Sequence, residues 1–141
     1  MIRSEREITG ESIAPSLEQM IRDVGMLLLG DETPRHRSLQ SQLKAAGFDR
    51  AVLTGAGLFA YFTHVERDRL DIPDLIGGEV QIDVEGLDAP AGSLVSVRDG
   101  FLEYVEIYTN GDVQLPDNPR VVSLKQVLPL PIHLGVPPNT R

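Results

Sequence analysis

"SLVSVRDGFLEYVEIY", residues 93–108, reads as a β-hairpin. Asp99-Gly100 stands between two apolar-rich runs, and Asp-Gly is among the strongest short hairpin signals because it suits the type I′ turn. A hairpin implies antiparallel pairing. Parallel neighbours would need a long crossover, usually a helix, and no helical pattern separates the strand-like segments around this hairpin.

Working outward, "EVQIDVEGL" (79–87) alternates cleanly. Val80, Ile82 and Val84 point one way, and Glu79, Gln81, Asp83 and Glu85 the other, which is the pattern of a half-buried antiparallel strand. "FDRAVLTGAG" and "LFAYFTHV" read as one or two further strands, with Gly55 and Gly57 marking a turn or bulge. "ERDRLDIPDLIGG" reads as a charged loop with room for one helical turn, and "PRVVSLKQV" as a last short strand.

Before Gly47 the period is 3.6 rather than 2. "PSLEQMIRDVGMLLLGD" places Leu17, Met20, Ile21, Val24, Leu27 and Leu28 on one stripe, with Pro15 suited to the first turn and Gly30 to the stop. Gly25 weakens this helix by about 1 kcal/mol relative to Ala unless it permits the close approach of another backbone. "TPRHRSLQSQLKAAG" gives a second helix with Thr33 as N-cap, Pro34 first and Gly47 at the end. Its stripe is thin, Leu39, Leu43 and Ala46, which leaves Arg35, Arg37, Gln40 and Lys44 in water.

Helices followed by strands indicate an α+β fold. The expected architecture is two N-terminal helices, then a twisted antiparallel sheet of four to six strands with the first helix on one face. Residues 1–13 read as a flexible arm, 14–127 as a single domain, and 128–141 as an extended Pro-rich arm. In that last segment Leu128, Leu130, Ile132, Leu134 and Val136 alternate with Pro129, Pro131, His133 and Gly135. Proline excludes helix and removes ladder donors. The apolar row calls for cover, either on its own domain as a strap or in a homodimer exchanged through the arm.

Charge and composition narrow the function. The 141 residues carry a formal net charge of −8 and no cysteine. An acidic chain without a basic run is unsuited to a phosphate backbone, so no nucleic-acid partner is expected. The absence of cysteine excludes disulfides, thiolate metal sites and cysteine nucleophiles. "VGMLLLG" is too short to span a bilayer and the N-terminus lacks the pattern of a signal peptide, so the expectation is a cytoplasmic protein with no membrane partner.

No catalytic motif stands out. "LTGAGLFAY" lacks a phosphate-binding fingerprint. Ser93, Ser96 and Ser123 have no triad context. His36, His64 and His133 share no ligand spacing, and although His64, Glu66 and Asp68 recur at period 2, the chain is expected to turn into a loop there, so no metal and no cofactor is expected. Glu103 and Glu106, three apart on one strand, fall on opposite faces by strand parity and so cannot form an acid–base pair. Parity also divides Phe101, Glu103, Val105 and Ile107 from Leu102, Tyr104, Glu106 and Tyr108. Neither face is purely apolar, which places one of the two glutamates on the inward side.

"GLDAPAGSLVSVRDGFLEYVEIYTNGDVQLPD" resembles the C-terminal part of a family of small uncharacterised bacterial α+β proteins. Gly86, Leu87, Gly92, Gly100, Leu102, Val105, Glu106, Tyr108 and Pro116 carry the resemblance, joined by "GAGLFAYF" and "SLQSQLKAAG". It covers most of residues 17–124, rests on turn and core positions, and implies no activity. It singles out Glu106 rather than Glu103.

Two readings follow. The first is a non-catalytic binding or protein-interaction domain of the regulatory or immunity type, with Glu79, Gln81, Asp83 and Glu85 as an acidic rim for a basic protein partner. The alternative is a small-molecule-binding domain or small enzyme with a pocket between the sheet and the first helix, lined by Tyr61, His64, Tyr104, Glu106 and Tyr108.

Overall fold

The computed structural model describes residues 5–111 and 113–132. In chain order the elements are β1 (Arg6–Thr9), α1 (Pro15–Leu29), α2 (Pro34–Ala45), β2 (Gly47–Thr54), β3 (Gly57–Thr63), a 3-10 turn (Glu66–Asp68), β4 (Leu75–Gly77), β5 (Glu79–Val84), β6 (Gly92–Arg98), β7 (Phe101–Tyr108) and β8 (Val121–Leu128). The main sheet has six strands, ordered β1-β2-β3-β7-β6-β4, with every pairing antiparallel; β5 and β8 form a second, two-stranded sheet. The fold is α+β, as the change of period at Gly47 implied.

The hairpin that anchors this topology forms at Asp99-Gly100. Both residues adopt positive φ, 55° and 81°, and Arg98 pairs with Phe101 across the turn. Two short strands depart from the sequence reading. Residues 6–9, expected in a flexible arm, form β1 against β2, and residues 75–77, expected in a loop, form β4 against β6. Both are too short to show a period of their own and gain their ladder from longer neighbours.

After β4 the chain turns away at Gly77-Gly78, and β5 bridges the chain just before β6 at one point, Ile82 to Ala91. Where the ladder lapses, Ser93 substitutes for it. Its buried hydroxyl accepts from Val80 N–H at 3.2 Å and donates to Val80 C=O at 2.8 Å, so neither backbone group is left unpaired.

α1 lies across one face of β6 and β7 and against β5 and β8. Leu17, Met20, Ile21, Val24, Leu28 and Leu29 are all at most 2% exposed. Each such side chain contributes about 1.5–3 kcal/mol on burial, so this stripe supplies much of the cohesion. Opposite it stand Ala51, Leu53, Leu58, Ala60, Phe62, Val95, Val97, Leu102, Val105 and Ile107. At Gly25 a Cβ would lie 2.9 Å from Leu43 of α2 and 3.4 Å from Val105 of β7, so the missing side chain lets the two helices and the sheet close together. Arg22 then reaches across to the C-terminal carbonyls of α2, donating to Leu43 O and Ala46 O at 3.0 Å each while pairing with Glu18 at 2.9 Å.

Thr33 caps α2 by accepting from His36 N–H, as expected. α2 buries two polar side chains that the thin stripe did not announce. His36 bridges Thr33 Oγ1 and Leu130 O, both at 2.7 Å. Gln42 donates to Asp68 O at 2.9 Å and Gly100 O at 3.0 Å and accepts from Leu102 N–H at 2.6 Å. Beyond β8, Leu130 is fully buried and its N–H donates to Leu28 O at 2.7 Å. Of the residues expected in the apolar arm, His133, Leu134, Gly135 and Val136 lie outside the described residues.

Candidate functional site

The interface between sheet and α1 is filled by the side chains just named, and the residues expected to line a pocket there lie elsewhere. Tyr61, Tyr104, Glu106 and Tyr108 occupy the opposite face of the sheet. This follows from register: Ala60 and Val105 are partners and face the core, so their neighbours Tyr61 and Tyr104, also partners, face away, as do Phe59 and Glu106. Phe59, Tyr61, Leu94 and Tyr104 are half-buried and stand outside the core cluster. His64 is not part of the group. It follows β3 at the sheet's end, with Nε2 donating to Leu102 O at 2.6 Å and its ring stacked on Phe101 at 5.0 Å.

A bulge decides where the glutamates point. Ser96 pairs with Tyr104 but the next residue, Val97, pairs with Leu102, so Glu103 is an extra residue on β7. The strand therefore changes parity at that position. Leu102 faces the core on one side of the bulge, and Val105 and Ile107 on the other, all fully buried. Glu103 and Tyr104 both turn outward. Neither glutamate is inward, and the two share a face rather than lying on opposite ones. This corrects the division drawn from unbroken alternation.

The two carboxylates differ in their surroundings. Glu103 accepts from Ser96 Oγ at 2.8 Å and sits 3.4 Å from the Arg98 guanidinium. It lines a groove of about 270 Å³ with Asp74, Ile76, Ser96, Arg98 and Tyr104. Glu106 has no hydrogen bond or salt bridge with any described residue. Its neighbours are Phe59 and Leu94 directly across on the flanking strands, and Tyr104 and Tyr108 along its own. Burial pushes its carboxyl above the usual range. Burial, then the fields of Glu106 and Glu103, raise the Tyr104 phenol; burial, then Glu79 and Glu106, raise that of Tyr108. Both hydroxyls thus stay protonated and able to donate.

Aromatic packing extends the patch. Tyr104 makes edge contacts with Phe59 at 5.4 Å and Tyr61 at 5.8 Å. The Arg50 guanidinium lies 4.2 Å above the Tyr61 ring and pairs with Asp49 and, at 3.9 Å, with Glu7. Tyr108 lies across Gly92, its cross-strand partner; a Cβ there would overlap the phenol ring. Phe59 stands beside Tyr61 as the aromatic run of "LTGAGLFAY" suggests, with Phe62 turned to the core; Leu94 and Arg50 were not read as site residues, because cross-strand register, not local pattern, brings them in.

The acidic rim of β5 is in a different state. Gln81, Asp83 and Glu85 are exposed as expected, but β8 brings Lys125 opposite Gln81 and a Ser123 hydroxyl onto Asp83 at 2.7 Å, and Arg120, just before β8, lies 3.7 Å from Glu85. Of its three carboxylates, Glu85 has an ion pair and Asp83 a hydroxyl donor.

His64, Glu66 and Asp68 do not share a strand face, since β3 ends at Thr63 and Glu66–Asp68 is a 3-10 turn in which Glu66 pairs with Arg69. Among the described residues, no group of three potential ligands is placed to hold a metal ion, and no helix is long and apolar enough to cross a membrane. Comparison of the chain with protein-family models, curated proteins and solved structures finds no match.

The raised carboxyl of Glu106 gives a pH-dependent prediction. An unfolded glutamate titrates near ~4.3. The folded chain holds this proton more tightly, so the contribution is fully present below that value and is lost as pH rises through the higher folded pKa. Glu106→Gln has no such loss. The variant should gain stability relative to the wild type as pH rises from about 4 to about 7. Thermal unfolding of both proteins across that window checks this, and a difference that does not vary with pH would mean the carboxylate is fully hydrated.

Proposed function

We propose that this chain is a non-catalytic protein-interaction domain, of a regulatory or immunity type, that meets a basic partner with the outer face of its main sheet. The observation that supports this most is the Phe59–Tyr61–Tyr104–Tyr108 patch, with Glu103 and Glu106 set among its rings and, among the described residues, no helix laid over it. Tyrosine and phenylalanine anchors ringed by polar groups are typical of protein interfaces, and such anchors dominate their energetics. The chain's net charge of −8 would favour encounter with a basic surface. The reading of a rim at Glu79–Glu85 as the contact is weaker, because it carries no aromatic anchor and Glu85 and Asp83 already have partners in Arg120 and Ser123.

The small-molecule reading keeps one support, the groove beside Tyr104 lined by Asp74, Ser96 and Glu103. At about 270 Å³ it is at the small end for a ligand pocket.

A displayed random-peptide library distinguishes the readings. Selection on the wild type should return basic sequences, and the variant Tyr61→Ala/Tyr104→Ala should bind them at least tenfold more weakly while keeping its thermal unfolding transition, about the effect of losing one or two aromatic anchors. Undiminished binding by this variant, or a consensus without basic residues, would reject the proposed face.

A further inference from the structure

We infer that Glu106 and the side chains around it, Phe59, Leu94, Tyr104 and Tyr108, form a receptor for a single cationic side chain, Arg or Lys, carried on a basic peptide segment. This rests on the reading of the outer face as an interaction surface and names what its centre binds.

The geometry supports it in three steps. First, Glu106 is the central group of an otherwise apolar and aromatic square: Phe59 and Leu94 are its direct cross-strand partners, and Tyr104 and Tyr108 its same-face neighbours along β7. A carboxylate so placed loses hydration and regains nothing from the described residues, whereas the neighbouring Glu103 has both a hydroxyl and a guanidinium. An arriving cation would supply the missing charge partner and at the same time face several rings, whose quadrupoles attract it.

Second, the same face already holds one such pair from within the chain. Arg50 lies 4.2 Å over Tyr61 with carboxylates of Asp49 and Glu7 beside it. Ring and carboxylate together bind a guanidinium on this surface. Tyr104, in edge contact with Tyr61, carries that arrangement on to Glu106.

Third, charge decides the kind of partner. A second copy of this chain would bring net charge −8 against −8 and set like carboxylates together. Among the described residues, the cations near the patch, Arg50 and Arg98, are paired with Asp49 and Glu103. A basic segment of another protein fits on both counts. Gly92 acts as a positioning residue, because its lack of a side chain lets the Tyr108 ring lie over β6 beside Glu106.

The test uses the isotopically labelled full chain and three probes: a short glycine–serine peptide bearing one arginine, the same peptide with citrulline, and free arginine amide. The arginine peptide should shift the amide resonances of Phe59, Leu94, Glu106 and Tyr108 saturably, with a dissociation constant of roughly millimolar order for a single side chain. Citrulline, which keeps the shape but not the charge, should weaken binding about tenfold or more, and Glu106→Gln should do the same without lowering the unfolding temperature. Gly92→Ala should weaken binding while leaving the Arg50–Tyr61 resonances in place. Shifts centred on residues 79–85, or full affinity in Glu106→Gln, would overturn the receptor. Arginine amide, which presents the same guanidinium, should bind at the same residues with similar strength; binding of the peptide but not of arginine amide would overturn a receptor for a single side chain. If library-selected basic peptides lose affinity in Tyr61→Ala/Tyr104→Ala but not in Glu106→Gln, the interaction face stands and the receptor at Glu106 falls. If neither variant matters, both fall.

Discussion

Gln42→Leu should cost about 2–4 kcal/mol of stability, which for a chain of this size is a fall in Tm of roughly 5–15 °C. The side chain is 4% exposed and makes three hydrogen bonds, one to each of three separate segments: the 3-10 turn through Asp68 O, the hairpin turn through Gly100 O, and β7 through Leu102 N–H. Leucine fills nearly the same volume, so the loss isolates polar pairing from packing. Gly100 O would keep its bond from Leu70 N–H at 3.0 Å, but Asp68 O and Leu102 N–H would lose the Gln42 partner. A buried donor left without a partner costs about 1–3 kcal/mol, more than the bond itself contributes. Gln42→Glu should be worse near neutral pH, because a carboxylate would face two carbonyl oxygens, and should recover in acid as it takes up a proton. Urea unfolding of both variants checks this. A loss below about 0.5 kcal/mol for Gln42→Leu would show that α2 and the hairpin are held by apolar contact alone.

What was legible in the chain was whatever a local pattern carries. Strand β5 reads off Val80, Ile82 and Val84, and all three are buried. The α2 cap at Thr33 and the turn at Asp99-Gly100 formed because their chemistry is contained in three or four residues. The helix-first, strand-later order gave α+β for the same reason. Gln42 was missed although a trace of it was present. It sits beside Leu43 and three residues past Leu39, on the buried side of a helix whose apolar stripe was too thin to fill that side. The bulge at Glu103 also left a trace. Leu102 is out of phase with Val105 and Ile107, and three apolar residues of mixed parity on a strand that must bury all of them require an inserted residue. Unbroken alternation instead put a glutamate inside. Of the candidate site, Tyr61, Tyr104, Glu106 and Tyr108 do gather on one surface, but on the face away from α1. Which face a strand turns to the core is set by pairing with β3 and β6, and that register is not written in β7 alone. His64 fell out because the chain leaves the sheet at Thr63.

Gly100→Ala should destabilise the chain by about 2–4 kcal/mol, the other large effect expected of a single substitution. Two costs add. The residue holds φ at 81°, where an L side chain loses roughly 1–2 kcal/mol. A Cβ would also press on the Leu70 carbonyl oxygen and come within 2.8 Å of Arg69 Cγ; the arginine can swing away, but the backbone oxygen can move only with the loop that carries it. That loop and the turn share Gly100 O, which accepts from both Leu70 N–H and Gln42. Displacing the turn therefore strains the same bonds that Gln42→Leu removes. The double variant should lose less than the sum of the two single losses, with a coupling of about 0.5–3 kcal/mol. The site should respond as well. The turn fixes the register of β6 against β7, and that register places the bulge, which in turn sets Tyr104 and Glu106 outward. In Gly100→Ala the amides of Ser96, Glu103 and Tyr104 should lose hydrogen-exchange protection before those of β2 and β3 do. Additive losses, or exchange that rises uniformly across the sheet, would separate the turn from the face and leave the bulge to be held by Leu102 and Val105 alone.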